Sequence, residues 1–135
     1  MKNLMVFAFV LLGLASCSKE TIDSIGKDSA LNIIRSNKWY DVVKIEKVGN
    51  DIVLKDTIVG NQVGHYLDFN KDGFAYVFDG EGGTKSIKYD MPTSKSMNFD
   101  GSLYTIKENI LQTLLSFSME NTTNGKTTTY TFKRR

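Results

Sequence analysis

The chain has 135 residues, 41% of them hydrophobic and 11% aromatic, with 17 basic against 15 acidic side chains. That size fits one modest domain with its own core, and a net charge of +2 gives no electrostatic reason to expect a nucleic-acid partner. The single cysteine excludes an intramolecular disulfide and a metal site built on cysteine.

The amino terminus is basic at Lys2, apolar from Leu4 to Leu12, and closes on Leu14-Ala15-Ser16-Cys17. A positive start, a short apolar run and small residues before a cysteine form a signal peptide with a lipoprotein cleavage site. As a helix, Leu4 to Ala15 would be about 18 Å long against roughly 30 Å of hydrocarbon, too short to span a membrane. The segment resembles the lipobox of bacterial lipoproteins. The resemblance implies that residues 1–16 are removed, and that Cys17 becomes the lipid-attachment residue and first mature residue, carrying fatty acyl chains such as palmitate. With about 0.8 kcal/mol gained per buried methylene, more than one chain anchors a protein lastingly. Ser18 after the cysteine resembles outer-membrane sorting in such proteins. Lys19-Glu20 resembles part of the surface-export signal of Bacteroidetes lipoproteins. The expected location is therefore the cell envelope, lipid-anchored at the outer membrane and facing the periplasm or the exterior.

Removing residues 1–16 takes away Lys2 and no acid, which leaves 16 basic and 15 acidic side chains. Residues 17–28 are polar and aperiodic and read as a lipidated tether, leaving 29–135 as the folded domain. Asp28 or Ser29 can cap a short helix through Ala30, Leu31, Ile33 and Ile34, whose spacing is helical. Two such turns are unstable alone and must pack on something.

From Trp39 onward the period is two. Trp39 to Val48 and Ile52 to Val59 are strands around Gly49-Asn50-Asp51. His65, Leu67 and Phe69 alternate before the turn Asn70-Lys71-Asp72-Gly73, and Phe74, Tyr76 and Phe78 form the next row. Ile87, Tyr89 and Met91 alternate with polar residues until Pro92, which lacks a ladder donor and is expected to end that strand. Met97 and Phe99, then Tyr104 and Ile106, flank Asp100-Gly101. Leu111, Leu115, Phe117 and Met119 line a longer strand, and Thr128, Tyr130 and Phe132 the last. Eight or nine strands with tight Gly/Asn/Asp turns and no helix between them make an all-β antiparallel meander. Closure removes its edges, so an up-and-down barrel of eight strands, or of nine segments, is the economical architecture, with a two-sheet sandwich as its rival.

Four features carry a resemblance to a known family. Trp39 opens the first strand after a short helix. Leu67-Asp-Phe-Asn-Lys-Asp-Gly73 forms a hairpin, Tyr104-Thr-Ile106 precedes Ile110-Leu111, and Tyr130-Thr-Phe-Lys133 ends the chain. Over roughly residues 30 to 135 the chain resembles the small lipocalin-like lipoproteins of Bacteroidetes. Asn37-Lys38-Trp39 keeps only half of the Gly-x-Trp signature of lipocalins proper. The resemblance implies an eight-stranded barrel, a late arginine (Arg134 or Arg135) over the tryptophan face, and binding of a small hydrophobic molecule.

Asp68-x-Asn70-x-Asp72-Gly73 matches the opening of a calcium loop, but its flanks are strands, which makes a plain hairpin the better reading. No metal or other cofactor is expected. His65 is the only histidine and alternates with inward residues near a barrel mouth. Tyr76, Tyr89, Tyr104 and Tyr130 fall on inferred inner faces, and buried phenols need partners. With Trp39 and His65 they form the candidate ligand-binding set. No acid pair, serine–histidine arrangement or phosphate loop stands out, so no enzymatic activity is expected. Binding a small ligand calls for an interior void of roughly 300 Å³ or more. A solid barrel with an exposed apolar patch would instead suit a protein partner, in a non-enzymatic interaction role.

Overall fold

A computed structural model describes residues 26–60, 62–80, 85–108, 110 and 115–134. The signal segment, Cys17, Lys19-Glu20, Leu111 and Arg135 lie outside these residues. A helix, α1, covers 26–36. Nine strands follow: β1 (Asp41–Val48), β2 (Asp51–Val59), β3 (Tyr66–Phe69), β4 (Phe74–Phe78), β5 (Lys85–Thr93), β6 (Ser96–Phe99), β7 (Ser102–Ile106), β8 (Ser116–Thr123) and β9 (Lys126–Lys133).

The nine strands form one curled antiparallel sheet in the order β2-β1-β9-β8-β7-β6-β5-β4-β3. The fold is all-β with a short helix before the first strand, as the alternation predicts. Every pair of sequence neighbours is hydrogen-bonded except β2 and β3, and the last strand returns to pair with β1 from Asp41↔Lys133 to Val48↔Lys126. The sheet is thus a half-barrel with a seam between β2 and β3. One stitch crosses the seam. Trp39 and Leu67 exchange two backbone N–H···O bonds of 2.8 Å, so the segment entering β1 pairs with β3 while β1 itself pairs with β2.

Turn chemistry sets the hairpin registers. Asp100 and Gly101 have φ of 52° and 85°, and Asn124 and Gly125 have 53° and 76°. Positive φ at both central residues of a two-residue loop is the conformation that follows strand twist, and Asp-Gly and Asn-Gly adopt it readily.

The antiparallel order gives the half-barrel two ends. One carries α1, the turns at 70–73 and 94–95, and the end of β9 at Lys133. The other carries the β1–β2, β6–β7 and β8–β9 turns. The first end is closed. Ala30 and Ile34 of α1 are buried against the sheet's inner residues, among which Phe69, Phe99, Phe117, Phe132, Met91, Met97 and Met119 are almost wholly inaccessible. Trp39 meets Phe117 edge-on at 5.0 Å and Phe132 at 6.1 Å, and Phe117 stacks on Phe132 at 4.5 Å.

Arg134 locks that end. Its guanidinium carbon lies 3.8 Å from the Trp39 ring centroid. Its Nη2 donates to the carbonyls of Ile33 (2.5 Å), Ile34 (3.1 Å) and Asn37 (3.3 Å) at the helix C-terminus. The Trp39 indole Nε1 donates to the Ile34 carbonyl as well, at 3.1 Å. A cation therefore sits where the helix dipole is negative and adds a charged donor to the carbonyls of the helix end, one of which, Ile33, also accepts from the Ser36 hydroxyl at 2.8 Å.

Four local expectations are corrected. The helix extends back at least to Gly26, so Asp28 and Ser29 lie within it and residues 26–28 belong to the folded unit. A Cβ at Gly26 would lie 4.0 Å from Ser94, so the helix begins beside the β5–β6 turn. Pro92 does not end β5, which runs to Thr93. The register to β6 shifts between Asp90 and Thr93, and within such an irregularity the missing donor costs no ladder bond. Leu115 precedes β8 and is exposed, because the strand starts only at Ser116.

Strand β4 departs from its expected face as well. Its inner residues are Ala75 and Val77, paired with the buried Phe69 and Leu67, whereas Phe74, Tyr76 and Phe78 occupy the outer face. All five positions of Phe74–Phe78 are apolar or aromatic, so alternation alone does not choose the face. The narrow space beside Phe69 and Tyr89, whose rings lie 4.9 Å apart, admits the small side chains.

Replacing Arg134 with alanine is expected to lower unfolding free energy in urea by about 2–3 kcal/mol, through lost stacking and lost charged hydrogen bonds to the helix end. Arg134→Lys should recover less than half of that, because an ammonium cannot lie flat on the indole and reach three carbonyls together. Equal midpoints for wild type and Arg134→Ala would refute the role of this lock.

Candidate functional site

Two clefts lie on the sheet, one along the seam and one at the open end. One, of about 540 Å³, lies beneath the seam between β2 on one side and β4 and β5 on the other. Its apolar floor is Ile58, Val77 and Ile87, and His65, Asp56, Asp79 and Lys85 stand around it. Lys85 Nζ is 3.3 Å from Asp79 Oδ2. The His65 ring lies against Gly80, where a Cβ would come within 2.6 Å of its Nε2, and Gly80 has φ of +79°. The backbone at position 80 thus favours glycine, and a side chain there would displace the imidazole.

The second cleft, of about 290 Å³, lies between β1, β7, β8 and β9. The inner row of β1 begins with buried Val42 and continues with Lys44 and Glu46, paired across to Tyr130 and Thr128 of β9. Glu46 accepts ion pairs from both sides, Oε1 at 3.5 Å from Lys44 Nζ and Oε2 at 3.1 Å from Lys126 Nζ. The Lys126 hydrogen bond, helped by both lysine charges, holds the Glu46 carboxyl below the usual carboxylate range. Beneath them, the Tyr104 and Tyr130 rings meet edge-on at 5.3 Å with only 5% and 3% of each residue exposed. Burial, added to by nearby carboxylates, pushes both phenols up to about 12. They stay protonated and act as neutral hydroxyls.

The six residues singled out from sequence therefore separate. Tyr104 and Tyr130 share the smaller cleft, and His65 lines the larger one. Trp39 and Tyr89 belong to the closed end. The Tyr89 hydroxyl donates to the Asn70 carbonyl at 2.6 Å and accepts from Arg35 Nε at 2.7 Å, tying α1 to the β3–β4 hairpin. Burial raises its pKa, and the Arg35 hydrogen bond partly offsets that rise. Tyr76 is on the outer face, where its hydroxyl hydrogen-bonds Asp72. Asp72 also accepts from the Phe74 N–H at 3.0 Å, so the calcium-like loop spends this carboxylate on its own turn. Among the described residues no cluster of three or more metal-ligating side chains occurs.

Sequence reasoning missed Lys44, Glu46, Lys126 and Thr128. The signal is the row Val42-Lys44-Glu46, in which charge replaces an apolar residue on the side where Val42 is buried. The competing row Val43-Ile45 hides it.

No family model, no curated protein and no solved structure matches this chain.

The two phenols give the site a pH signature. A phenol ordinarily titrates near about 10. Between that pH and about 12 the unfolded chain loses protons that folded Tyr104 and Tyr130 keep, so stability should fall across this window. Below it both states hold the protons, and these residues add no pH dependence. Urea midpoints measured across the window should slope downward in wild type and distinctly less in Tyr104→Phe/Tyr130→Phe.

Proposed function

We propose that this chain is a membrane-tethered, non-enzymatic binding module whose half-barrel holds a small amphipathic molecule in the cleft along its seam. The observation that carries the reading is the cleft of about 540 Å³, within the range of small-molecule sites, with Ile58, Val77 and Ile87 as floor and His65 among its polar walls. The deep interior is filled by aromatic and methionine side chains. A wholly apolar guest of the kind lipocalins enclose would find little space there. A guest with an apolar body on Ile58, Val77 and Ile87 and a polar end near His65, Asp79 and Lys85 fits better.

The lipid on Cys17 is part of the proposal, as is the outer membrane as its place. Gly26, the first described residue, packs beside Ser94 at the closed end. Residues 17–25 reach at most about 30 Å when extended. A lipidated Cys17 would therefore set the closed end toward the bilayer and the open end away from it. A second reading is favoured by a separate observation: Val48, Ile52, Val53 and Leu54 are exposed on the β1–β2 hairpin, as a surface for a protein partner would be.

Native mass spectrometry of the full-length chain isolated from membranes should find a co-purifying small molecule, absent from Ile87→Trp, which fills the cleft. Repeated empty spectra would overturn the ligand reading in favour of the partner. Intact-mass analysis should show a chain beginning at an acylated Cys17, and Cys17→Ser should be unmodified and released from the membrane fraction. An unprocessed wild-type chain starting at Met1 would refute the anchor.

A further inference from the structure

We propose a second site, independent of the larger cleft: the one between β1, β7, β8 and β9 takes a neutral, polyhydroxylated molecule the size of one hexose unit. The inner row of β1 could have continued in apolar residues after Val42 and closed this end with core. It carries Lys44 and Glu46 instead, and β9 presents Thr128 and Tyr130 opposite them. Polar side chains at inner positions cost stability unless they are satisfied. Here they partner one another around a cavity of about 290 Å³, at the small end of ligand-sized spaces.

Charge and hydrogen-bonding capacity together select the guest. Lys44 and Lys126 face Glu46, Asp100 on the rim and Asp56 opposite Lys44 on β2, so both signs of charge interleave around the site and no cluster of one sign stands open to a counter-ion. The Glu46 carboxylate already lies between the two ammonium groups, at 3.5 and 3.1 Å. An ion of either sign would have to compete with that pairing and be desolvated in doing so. A carboxylate has about four acceptor sites and an ammonium three donors, so capacity remains on all three groups after the pairs form. An alcohol uses that capacity without breaking a pair, donating its O–H to Glu46 and accepting from a lysine. Adjacent hydroxyls on one ring can do this side by side.

The floor adds neutral donors and acceptors. Thr128 is only 9% exposed, and its hydroxyl lies on the row between Lys126 and Tyr130. Tyr104 and Tyr130 hold their rings in the core and remain protonated at any physiological pH. Lys44 Nζ lies 5.8 Å from the Tyr130 ring centroid, which keeps the ammonium over the aromatic face, close to Glu46.

The test is titration of the full-length chain, in detergent, with free neutral hexoses and their methyl glycosides, followed by calorimetry and by NMR of 13C-labelled tyrosine. Inorganic phosphate and glycine serve as charged and zwitterionic comparators. Saturable millimolar binding of at least one hexose or glycoside is expected, with shifts at Tyr104 and Tyr130 and none at Tyr76. Binding of glycosides alone would identify the terminal unit of a longer glycan as the guest, and binding of the free sugars as well would admit both sources. Glu46→Gln should weaken binding roughly tenfold, the loss for one hydrogen bond to a charged group. Thr128→Val, which keeps side-chain shape, should weaken it several-fold while the Tm stays near that of wild type. The Ile87→Trp change in the larger cleft should leave hexose binding intact, so the two sites can fail separately. Absence of saturable binding by every sugar, tighter binding of phosphate or glycine than of any sugar, or unchanged affinity in both Glu46→Gln and Thr128→Val would overturn the proposal.

Discussion

The contact on which the rest of this structure depends is the stack of Arg134 on Trp39 beneath the end of α1. Three parts distant in sequence meet there: the helix C-terminus, the residue entering β1, and the residue leaving β9. A half-barrel of nine strands has two edges to protect and one seam to close. The backbone exchange between Trp39 and Leu67 closes the seam at a single point. That exchange needs Trp39 held in place, and the cation above its ring, the Ile34 carbonyl on its indole N–H and the Phe117 and Phe132 rings around it all hold it.

Locking one end frees the other. With α1 covering the closed end and phenylalanine and methionine side chains filling the interior beneath it, stability does not require the open end to be apolar. The inner rows accordingly change character along their length: Val42 gives way to Lys44 and Glu46, and Phe132 gives way through Tyr130 to Thr128. The tyrosines stand at that boundary, with rings in the core and hydroxyls toward the cleft. A single side chain serves both environments there, and this suits phenols better than phenylalanine or serine.

Much of this architecture is legible in the residues. Asp100-Gly101 and Asn124-Gly125 announce tight hairpins because two successive positive φ angles are easy for few other pairs. The alternation of Ile87, Tyr89 and Met91 with charged neighbours gives the face of β5 directly, since one side of that strand is wet. Legibility ends where alternation loses contrast. In Phe74–Phe78 every position is apolar or aromatic, so only pairing with Leu67 and Phe69 chooses Ala75 and Val77 as the inner pair. The same ambiguity hides the smaller cleft, because Val43 and Ile45 advertise one face of β1 while Val42, Lys44 and Glu46 occupy the face that carries the cleft. Tyr89 illustrates a different limit. Its inward position is plain from sequence, but that its hydroxyl bridges Arg35 and the Asn70 carbonyl depends on contacts across 54 and 19 residues.

The unpaired margin at β2 follows from the same geometry. Because Trp39 claims Leu67, β2 cannot join β3 and is left as an edge with apolar residues exposed near its start. Long flat edges of this kind template aggregation. Here the register of β2 against β1 shifts twice, between Val42 and Val43 and between Glu46 and Lys47, and Lys55 and Asp56 lie between the two irregularities. Bulges bend a strand and break the regular spacing of its outward donors and acceptors, and the charged pair penalises a second strand laid alongside. The edge is therefore poorly suited to open-ended strand addition, while the side chains of Ile52, Val53 and Leu54 remain available to a surface that meets them from the side. The constraint that leaves the seam open thus also governs how another molecule could approach it.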